Sequence, residues 1–600
     1  MTEKIVNDFN ITFSTINGSG SSTANSIILK ALFKMGIPVS GKNVFPSNIQ
    51  GLPTWYSIRV NKDGFLGRVE KDDIIVEMNP ETVITDEDHL NDNGVLIYND
   101  QFILPEFSKR IISYALPVEK ILNECHSPTT LRIYLANMVY VGVLVNILKI
   151  DLSKINEALD EHFNGHNSAI EPNLQVIQAS FDWSKSHLKK IDHFFIKPII
   201  KTQENILTDG NTAAALGSIY GGLQFISWYP ITPATSLPES LNEYLPILRK
   251  EKFSGKNTFV SIQAEDELAA IGMVVGASWA GLRAMTATSG PGLCLMSEYL
   301  GLAYLSEVPV VVWDVQRVGP STGLPTHTSQ GDLTFSYFLS HGDKEYPILL
   351  PGSVYECFEF AWRALDIADE LQTPVIVLSD LDLGMNQWIT PKFKYPDTPI
   401  NRGKILWEKE LQEMLERRNG DWGRYLDIDG DGIPYRTVPG NNHLQAPYFA
   451  RGTGHDEYGR YSENPDVWER VHLRLQKEMG KALQIIPNPI EDENEKATIG
   501  VISFGSSDLP VTEACQILRQ NSIQSNYLRI RAIPFNKKIQ DFLEEHEKTY
   551  VVEANRDGQM AQLLKMNFPN HNNKILSIAH SDGLSLSAKW ISDKILLNEG

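Results

Sequence analysis

Short runs of β-branched and aromatic residues alternate along this chain with longer stretches whose apolar positions recur every three or four residues. NITFSTI (10–16), DDIIVEM (72–78) and NGVLIYND (93–100) have the length and content of buried strands. Between the first two, NGSGSSTANSIILKALFKMG sets Ile27, Ile28, Ala31 and Leu32 on one stripe of a helix entered through a Gly/Ser turn. LRIYLANMVYVGVLVNILKI (131–150) predicts a buried helix. The pattern is stronger farther on, with strands expected at 223–228, 258–262, 284–288, 309–315 and 374–379 and helices such as CFEFAWRALDIADEL between them. From 389 to 490 it lapses into a Pro-, Gly- and Asp-rich excursion ending in the helical PDVWERVHLRLQKEMGKAL. An irregular segment of that length is expected to be functional or an interface. ATIGVISFG, PVTEACQILRQN, NYLRIRAI and TYVVEANRDGQ then restore strand and helix. The prediction is a multidomain α/β protein divided at 1–195, 196–388, 389–490 and 491–600.

Three strands of the second region run directly into chemically capable loops. QFISWYPITPATS carries Thr232, FVSIQAEDELAAIG carries Glu265 and Glu267, and VVVWDVQRVGPSTGLPTHTSQGDL carries Arg317, Ser321, Thr322, Thr326 and Asp332. Ligands of open α/β sheets collect at the carboxyl ends of the strands, so these loops predict one site. Arg317 reads as the wall of an anion site, with a structural ion pair as the plainer alternative. Asp266 reads as a charge on the first turn of a helix, and Ser321 as the cap of the next one.

At 600 residues the chain is too long for one core. Its net charge of −20 argues against nucleic-acid or anionic-membrane partners and fits a cytoplasmic protein. MTEKIVNDFN lacks the basic-then-apolar pattern of a secretory signal. The most apolar stretch, Ile133 to Leu148, includes Asn137 and Asn146 and falls short of the roughly 20 residues a bilayer needs. The four cysteines, Cys125, Cys294, Cys357 and Cys515, are far apart, so no metal or cluster site is predicted on this chain. DIDGDGIPYR offers Asp427, Asp429 and Asp431 at calcium-loop spacing, but Val438 stands where a bidentate glutamate is wanted, and an Asp/Gly turn is the competing reading.

YPITP (229–233), QAEDELAAIG (263–272), TSGPG (288–292), QRVGPSTGLPT (316–326), DGDGIPYRTVPG (429–440) and RGTGHDEYG (451–459) together resemble the alpha subunit of 2-oxoacid:ferredoxin oxidoreductases, in the form with a gamma domain fused at the amino end and most like the 2-oxoglutarate type. The resemblance implies a Rossmann-like gamma domain, an α/β domain holding the pyrimidine side of thiamine diphosphate, and a transketolase C-terminal-like α/β domain. It implies CoA-dependent oxidative decarboxylation of a 2-oxoacid. A separate beta chain would hold the diphosphate, Mg2+ and a [4Fe-4S] cluster and pass electrons to ferredoxin. Related enzymes for pyruvate, branched-chain or aryl 2-oxoacids, or a noncatalytic assembly subunit, are the alternatives.

Carried onto this sequence, the resemblance gives Glu267 the hydrogen bond to N1′ of the aminopyrimidine, with Glu265 as the alternative. Arg317 and Thr232 would hold the substrate, with Thr326 as a further contact. Tyr229, Pro230 and Gly290 would line the cofactor. Arg436, Arg451, His455 and Asp456 would close over substrate or coenzyme A, or serve an interface. GSGSS (18–22) departs from the glycine-rich gamma loop of the family, and EANRDGQ (553–559) reads as a turn at a domain interface.

Overall fold

Residues 4–46, 51–104, 106–107, 110–492 and 497–599 are described in a computed structural model built around three principal sheets. In the strand Asp8–Ile16, apolar Phe9, Ile11 and Phe13 and the alternate polar positions are all buried, as befits a strand covered on both faces. It stands third in a six-stranded sheet of order Val39–Val44, Pro53–Asn61, Asp8–Ile16, Asp72–Glu77, Leu90–Asn99, Ile112–Leu116. The first two form an antiparallel edge, and the rest run parallel. That edge was not legible in the sequence, because VSGKNV and PTWYSIRVN scatter Lys, Asn, Gly and Arg among their apolar residues.

The turn into the helix Ser21–Lys34 needs Gly20, whose φ is +79° and where a Cβ would lie 2.6 Å from the Tyr134 ring. Asn137 Nδ2 donates to the Ser19 carbonyl at 2.7 Å, so the helix Arg132–Leu148 covers this turn.

The central sheet runs Val260–Gln263, Phe225–Trp228, Ala284–Thr288, Val310–Gln316, Pro374–Asp380, Ile348–Leu349, Ala532–Ile533. All are parallel except the last, which the carboxyl-terminal segment contributes antiparallel. Every residue of Val310–Gln316 and Pro374–Asp380 is buried, the signature of a parallel sheet faced on both sides by helices. A third sheet, Ile490–Asp492, Ser525–Ile530, Ile499–Phe504, Lys548–Glu553, Ile575–Ala579, completes the α/β architecture. Among the described residues no helix is long and apolar enough to cross a membrane.

The 389–490 segment contains a helix that the composition concealed, Glu408–Arg417, besides the expected Pro465–Ile485. Much of it packs at the amino ends of the central strands. Arg283, just before Ala284–Thr288, donates to Asp369 at 3.0 Å; Arg402 and Arg436 donate to the same carboxylate at 2.9 and 2.8 Å. Glu307, just before Val310–Gln316, binds Arg474 through both oxygens, and its carbonyl accepts from Arg424 at 2.7 Å. Arg283 and Arg436 are buried, and removing the Asp369 carboxylate that they share leaves charge that Asp366 and backbone carbonyls compensate only in part. Asp369→Ala should cost about 3–5 kcal/mol, read as a lower denaturant midpoint, with the isosteric Asn less damaging. A midpoint unchanged by Ala would show that the cluster does not hold this edge.

Candidate active site

Three parallel strands deliver the predicted residues to one edge of the central sheet. Phe225–Trp228 ends in Tyr229–Pro233, Ala284–Thr288 in Ser289–Gly292, and Val310–Gln316 in the long loop begun by Arg317. The outer strand Val260–Gln263 leads to the helix Glu267–Trp279.

Asp266 is the cap of that helix: its carboxylate accepts from the Ala269 amide at 2.7 Å. Glu265 is exposed, whereas Glu267 turns inward and is buried. The Glu267 side chain lies against Gly292, where a Cβ would stand 2.7 Å from Glu267 Cγ and 2.1 Å from Thr288 Oγ1. Its carboxyl has no hydrogen-bond partner among the described residues. An inward, unspent carboxyl beside a floor without side chains suits the aminopyrimidine of thiamine diphosphate, which needs an acceptor or donor at its ring nitrogen. Thr288 and Gly292 were not singled out individually; the close approach at Gly292 becomes visible only once the helix is packed.

Arg317 and Thr232 do meet. Arg317 Nη1 donates to the Thr232 carbonyl at 2.6 Å, while its buried Nε has no partner among the described residues. Nε and Nη2 form the side-on fork of a guanidinium, so the edge able to take a carboxylate through two parallel hydrogen bonds is left open. A buried donor without an acceptor costs roughly 1–3 kcal/mol, which an incoming carboxylate recovers. Burial pulls the guanidinium below its usual range, and Asp332 opposes that shift. The plainer reading of Arg317, a closed structural ion pair, does not describe it.

Asp332 rests on Gly290, where a Cβ would lie 2.7 Å from both carboxylate oxygens. Its own amide donates to Gln316 Oε1 at 3.0 Å, and Gln316 Nε2 donates to the Ser379 carbonyl at 3.0 Å. The carboxyl-terminal domain pins the same turn. Gln559 donates to the Gly331 carbonyl at 2.7 Å and accepts from the Thr334 amide at 2.8 Å. The 553–559 motif is therefore an interface turn that fixes the Asp332 loop.

Tyr229 and Pro230 are exposed at the mouth of this edge. Thr326 is buried and lines a separate cavity of about 540 Å³ with Lys42, Arg68, Thr328 and Asp382, between the amino-terminal sheet, the central domain and the 582–585 loop. Ser321 is no helix cap: it is exposed in a turn at φ +58°, and the next helix starts only at Leu333.

Arg436, Arg451, His455 and Asp456 are not brought to this edge. Arg436 binds Asp369 at the amino ends of the strands, Arg451 Nε donates to the Gly459 carbonyl at 2.8 Å, and buried His455 packs on Tyr425. Asp456 accepts from the amides of Tyr458 and Arg460. In the DIDGDG turn an ammonium stands where a cation would: Lys404 Nζ lies 2.7 Å from Asp429 and 2.8 Å from Asp431, and Lys477 3.2 Å from Asp427.

Known proteins resemble this chain along nearly its whole length. Residues 216–394 match the family model described as pyruvate flavodoxin/ferredoxin oxidoreductase, thiamine diphosphate-binding, and residues 10–183 match pyruvate ferredoxin/flavodoxin oxidoreductase. The alpha subunit of 2-oxoacid:ferredoxin oxidoreductase 1 from Sulfurisphaera tokodaii is 32% identical over 92% of this chain and 91% of its own length. 2-Oxoglutarate synthase subunit KorA of Methanothermobacter thermautotrophicus is 36% identical over 60% of this chain and 89% of its own. The structure of 2-oxoglutarate:ferredoxin oxidoreductase from Magnetococcus marinus, with 2-oxoglutarate, coenzyme A and succinyl-CoA bound, superposes with a TM-score of 0.88 at 29% identity, covering 99% of this chain and 100% of that one. With a relative 32% identical over 92% of its length, the chain belongs to the family of 2-oxoacid:ferredoxin oxidoreductase alpha subunits.

Proposed function

We propose that this chain, with a beta subunit, converts 2-oxoglutarate and coenzyme A to succinyl-CoA and carbon dioxide in the cytoplasm, with electrons leaving through a [4Fe-4S] cluster on the beta chain to ferredoxin. The observation that carries this reading is the open Nε edge of Arg317, anchored through Nη1 to Thr232. The names and contents of the relatives favour 2-oxoglutarate over pyruvate, branched-chain or aryl 2-oxoacids.

Thiamine diphosphate, when bound, supplies a thiazolium carbon that carries the negative charge left as carbon dioxide departs. Glu267 would hold a proton against N1′ of the cofactor, and Gly290, Gly292 and Tyr229 would leave room for and flank its rings. Arg317 would take the carboxylate adjacent to the reacting carbonyl, with the Thr232 hydroxyl directed at that carbonyl. In the assembled enzyme, Glu267→Gln should lower turnover about 10²- to 10⁴-fold, the range for lost acid–base help, with the substrate KM nearly unchanged. Arg317→Lys should instead raise the 2-oxoacid KM by about 30-fold or more, since one partner of a desolvated bidentate pair is typically worth 2–5 kcal/mol. A loss under tenfold for the Gln variant would favour the noncatalytic assembly role.

The need for a beta subunit is supported by the surface around the site. The helix Glu267–Trp279 is almost wholly apolar, yet only Glu267, Ala270, Ile271, Val274 and Ser278 are buried, and a side chain at Gly276 would meet open space. Leu268, Leu295 and Leu324 stand 42%, 49% and 47% exposed on the same edge. Mg2+ and the cluster are assigned to the partner, as the resemblance to the family implies, the four cysteines of this chain standing far apart in sequence. Purified alone, the chain should bind thiamine diphosphate weakly and reduce no viologen with 2-oxoacid. A co-purifying, iron-containing partner should restore activity, with 2-oxoglutarate outcompeting pyruvate and 2-oxoisovalerate. Robust activity from the lone chain would end the split-site reading.

Coenzyme A is assigned to the 540 Å³ cavity that Thr326 lines. Lys42 there is paired with Asp382 at 2.8 Å, but Arg68 has no carboxylate partner among the described residues and only a 3.4 Å contact to the Ser585 carbonyl. Arg68 thus has charge to offer a phosphate. Arg68→Ala should raise the coenzyme A KM about tenfold while leaving that of the 2-oxoacid unchanged, a loss of one exposed-to-half-buried charge contact of order 1–2 kcal/mol. Equal effects on both substrates would remove coenzyme A from this cavity.

A further inference from the structure

Arg317 stands between two residues that are both tied across to one later stretch of chain. On one side Gln316 Oε1 accepts from the Asp332 amide at 3.0 Å; on the other the Val318 amide donates to the His327 carbonyl at 3.1 Å. Residues 327–332 are therefore a strap that flanks the base of the arginine. Within it lies Gln330, only 1% exposed.

The Gln330 side chain reaches into the carboxyl-terminal domain. Its Nε2 donates to the Phe504 carbonyl at 2.8 Å, and its Oε1 accepts from the Ala554 amide at 2.8 Å and from the Ser507 hydroxyl at 3.0 Å. The main chain adds two more bonds to the same domain. The Gln330 amide donates to the Ala554 carbonyl at 2.7 Å, and the Gln330 carbonyl accepts from Asn555 Nδ2 at 3.1 Å. At Gly505, where φ is +57°, a Cβ would lie 2.7 Å from Gln330 Nε2, so the floor of the slot is shaped to admit the amide.

That slot has a definite place in the third sheet. Ile499–Phe504 comes before its two parallel neighbours in the chain, with Ser525–Ile530 on one side of it and Lys548–Glu553 on the other. The strand order thus reverses between Ile499–Phe504 and Lys548–Glu553, and the crevice beyond the carboxyl ends at such a point is where open α/β sheets take ligands. Phe504 ends the first of these strands and Ala554 follows the second, so Gln330 fills that crevice. Joining the domains does not by itself call for this arrangement. Gln559, through Gly331 and Thr334, and the strand Ala532–Ile533 already link the two.

We propose that Gln330 is a positioning residue for the 2-oxoacid: seated in the ligand crevice of the carboxyl-terminal domain, it sets the strap that flanks Arg317 and so fixes the direction of the open guanidinium edge. This rests on the reading of Arg317 as the carboxylate clamp. Two parallel hydrogen bonds require the guanidinium and carboxylate to share a plane, and a tilt at the base of the arginine weakens both bonds at once. Glu267 and Gly292 belong to helices outside the strap. The proton held at the cofactor, and with it kcat, does not depend on this anchor.

In the enzyme assembled with its beta subunit, Gln330→Ala should raise the 2-oxoglutarate KM about tenfold, the order expected when a buried hydrogen-bonding side chain is cut away, and hold kcat within about twofold. Loosened domain packing would do the reverse, lowering kcat through loss of active enzyme at an unchanged KM. Ser507→Ala removes only one donor to Gln330 Oε1 and should raise KM about threefold, which gives the same readout if the first variant does not assemble. In an Arg317→Lys background, Gln330→Ala should add less than about twofold, because a residue that acts through the fork has nothing left to position. A KM unmoved by both alanine variants, a fall in kcat alone, or effects of Gln330→Ala and Arg317→Lys that multiply, overturns the proposal. Arg317→Lys by itself separates the two readings. If it leaves KM unchanged, the clamp is wrong; if it raises KM while Gln330→Ala and Ser507→Ala do not, only the anchor fails.

Discussion

A buried guanidinium must meet negative charge, and the two edges of the central sheet answer that demand in opposite ways. At the amino ends of the strands, Asp369 gathers Arg283, Arg402 and Arg436, and Glu307 gathers Arg474 with Arg424 on its carbonyl. Each of these cations has a carboxylate of the same chain within 4 Å. At the carboxyl ends Arg317 has one nitrogen on a neutral carbonyl and an open edge beyond it. Closing the first edge makes a rigid base. Leaving the second edge open leaves a cation able to take a ligand's carboxylate, at the kind of energetic cost that functional positions carry.

That division explains why the irregular 389–490 segment is so long. Its arginines supply what the amino ends of the strands lack, because a parallel sheet with Glu307 and Asp369 at its base needs cations brought in from outside the strand–helix repeat. The carboxyl-terminal domain works from the other side. Its strand Ala532–Ile533 joins the sheet, and its Gln559 brackets the Asp332 turn. Rigidity at the site thus comes from segments distant in sequence, which suits a pocket whose polar groups must be held to within a fraction of an ångström.

Much of this was legible without coordinates. The five principal strands of the central sheet fall within two residues of the expected bounds, since runs such as VVVWDVQ, buried on both faces, carry a signal that no other element imitates. Thr232 and Arg317 meet as their strand-end positions implied, and Glu267 turns inward where Glu265 does not. What sequence could not show depends on packing between distant segments. Arg436 and His455 look as chemically capable as Arg317, and only the fold reveals that they lie at the far edge, Arg436 bonded to Asp369 and His455 packed on Tyr425. Asp427, Asp429 and Asp431 imitate a cation loop, and nothing nearby in sequence announces that Lys404 and Lys477 supply the cations.

The open edge and the exposed apolar rim are two aspects of the same incompleteness. A chain can expose Leu268, Leu295 and Leu324 singly, but here Leu268 lies on a helix that is apolar on nearly every side and begins with the inward Glu267, with Leu295 and Leu324 exposed as well. Were this surface left to water, Arg317 and Glu267 would work in a high dielectric, where a carboxylate clamp is worth little. Covering the rim with another chain removes that water and strengthens each polar contact beneath it. The same surface that a second subunit would bury for stability is the one whose burial would strengthen the hold of the arginine fork on a carboxylate.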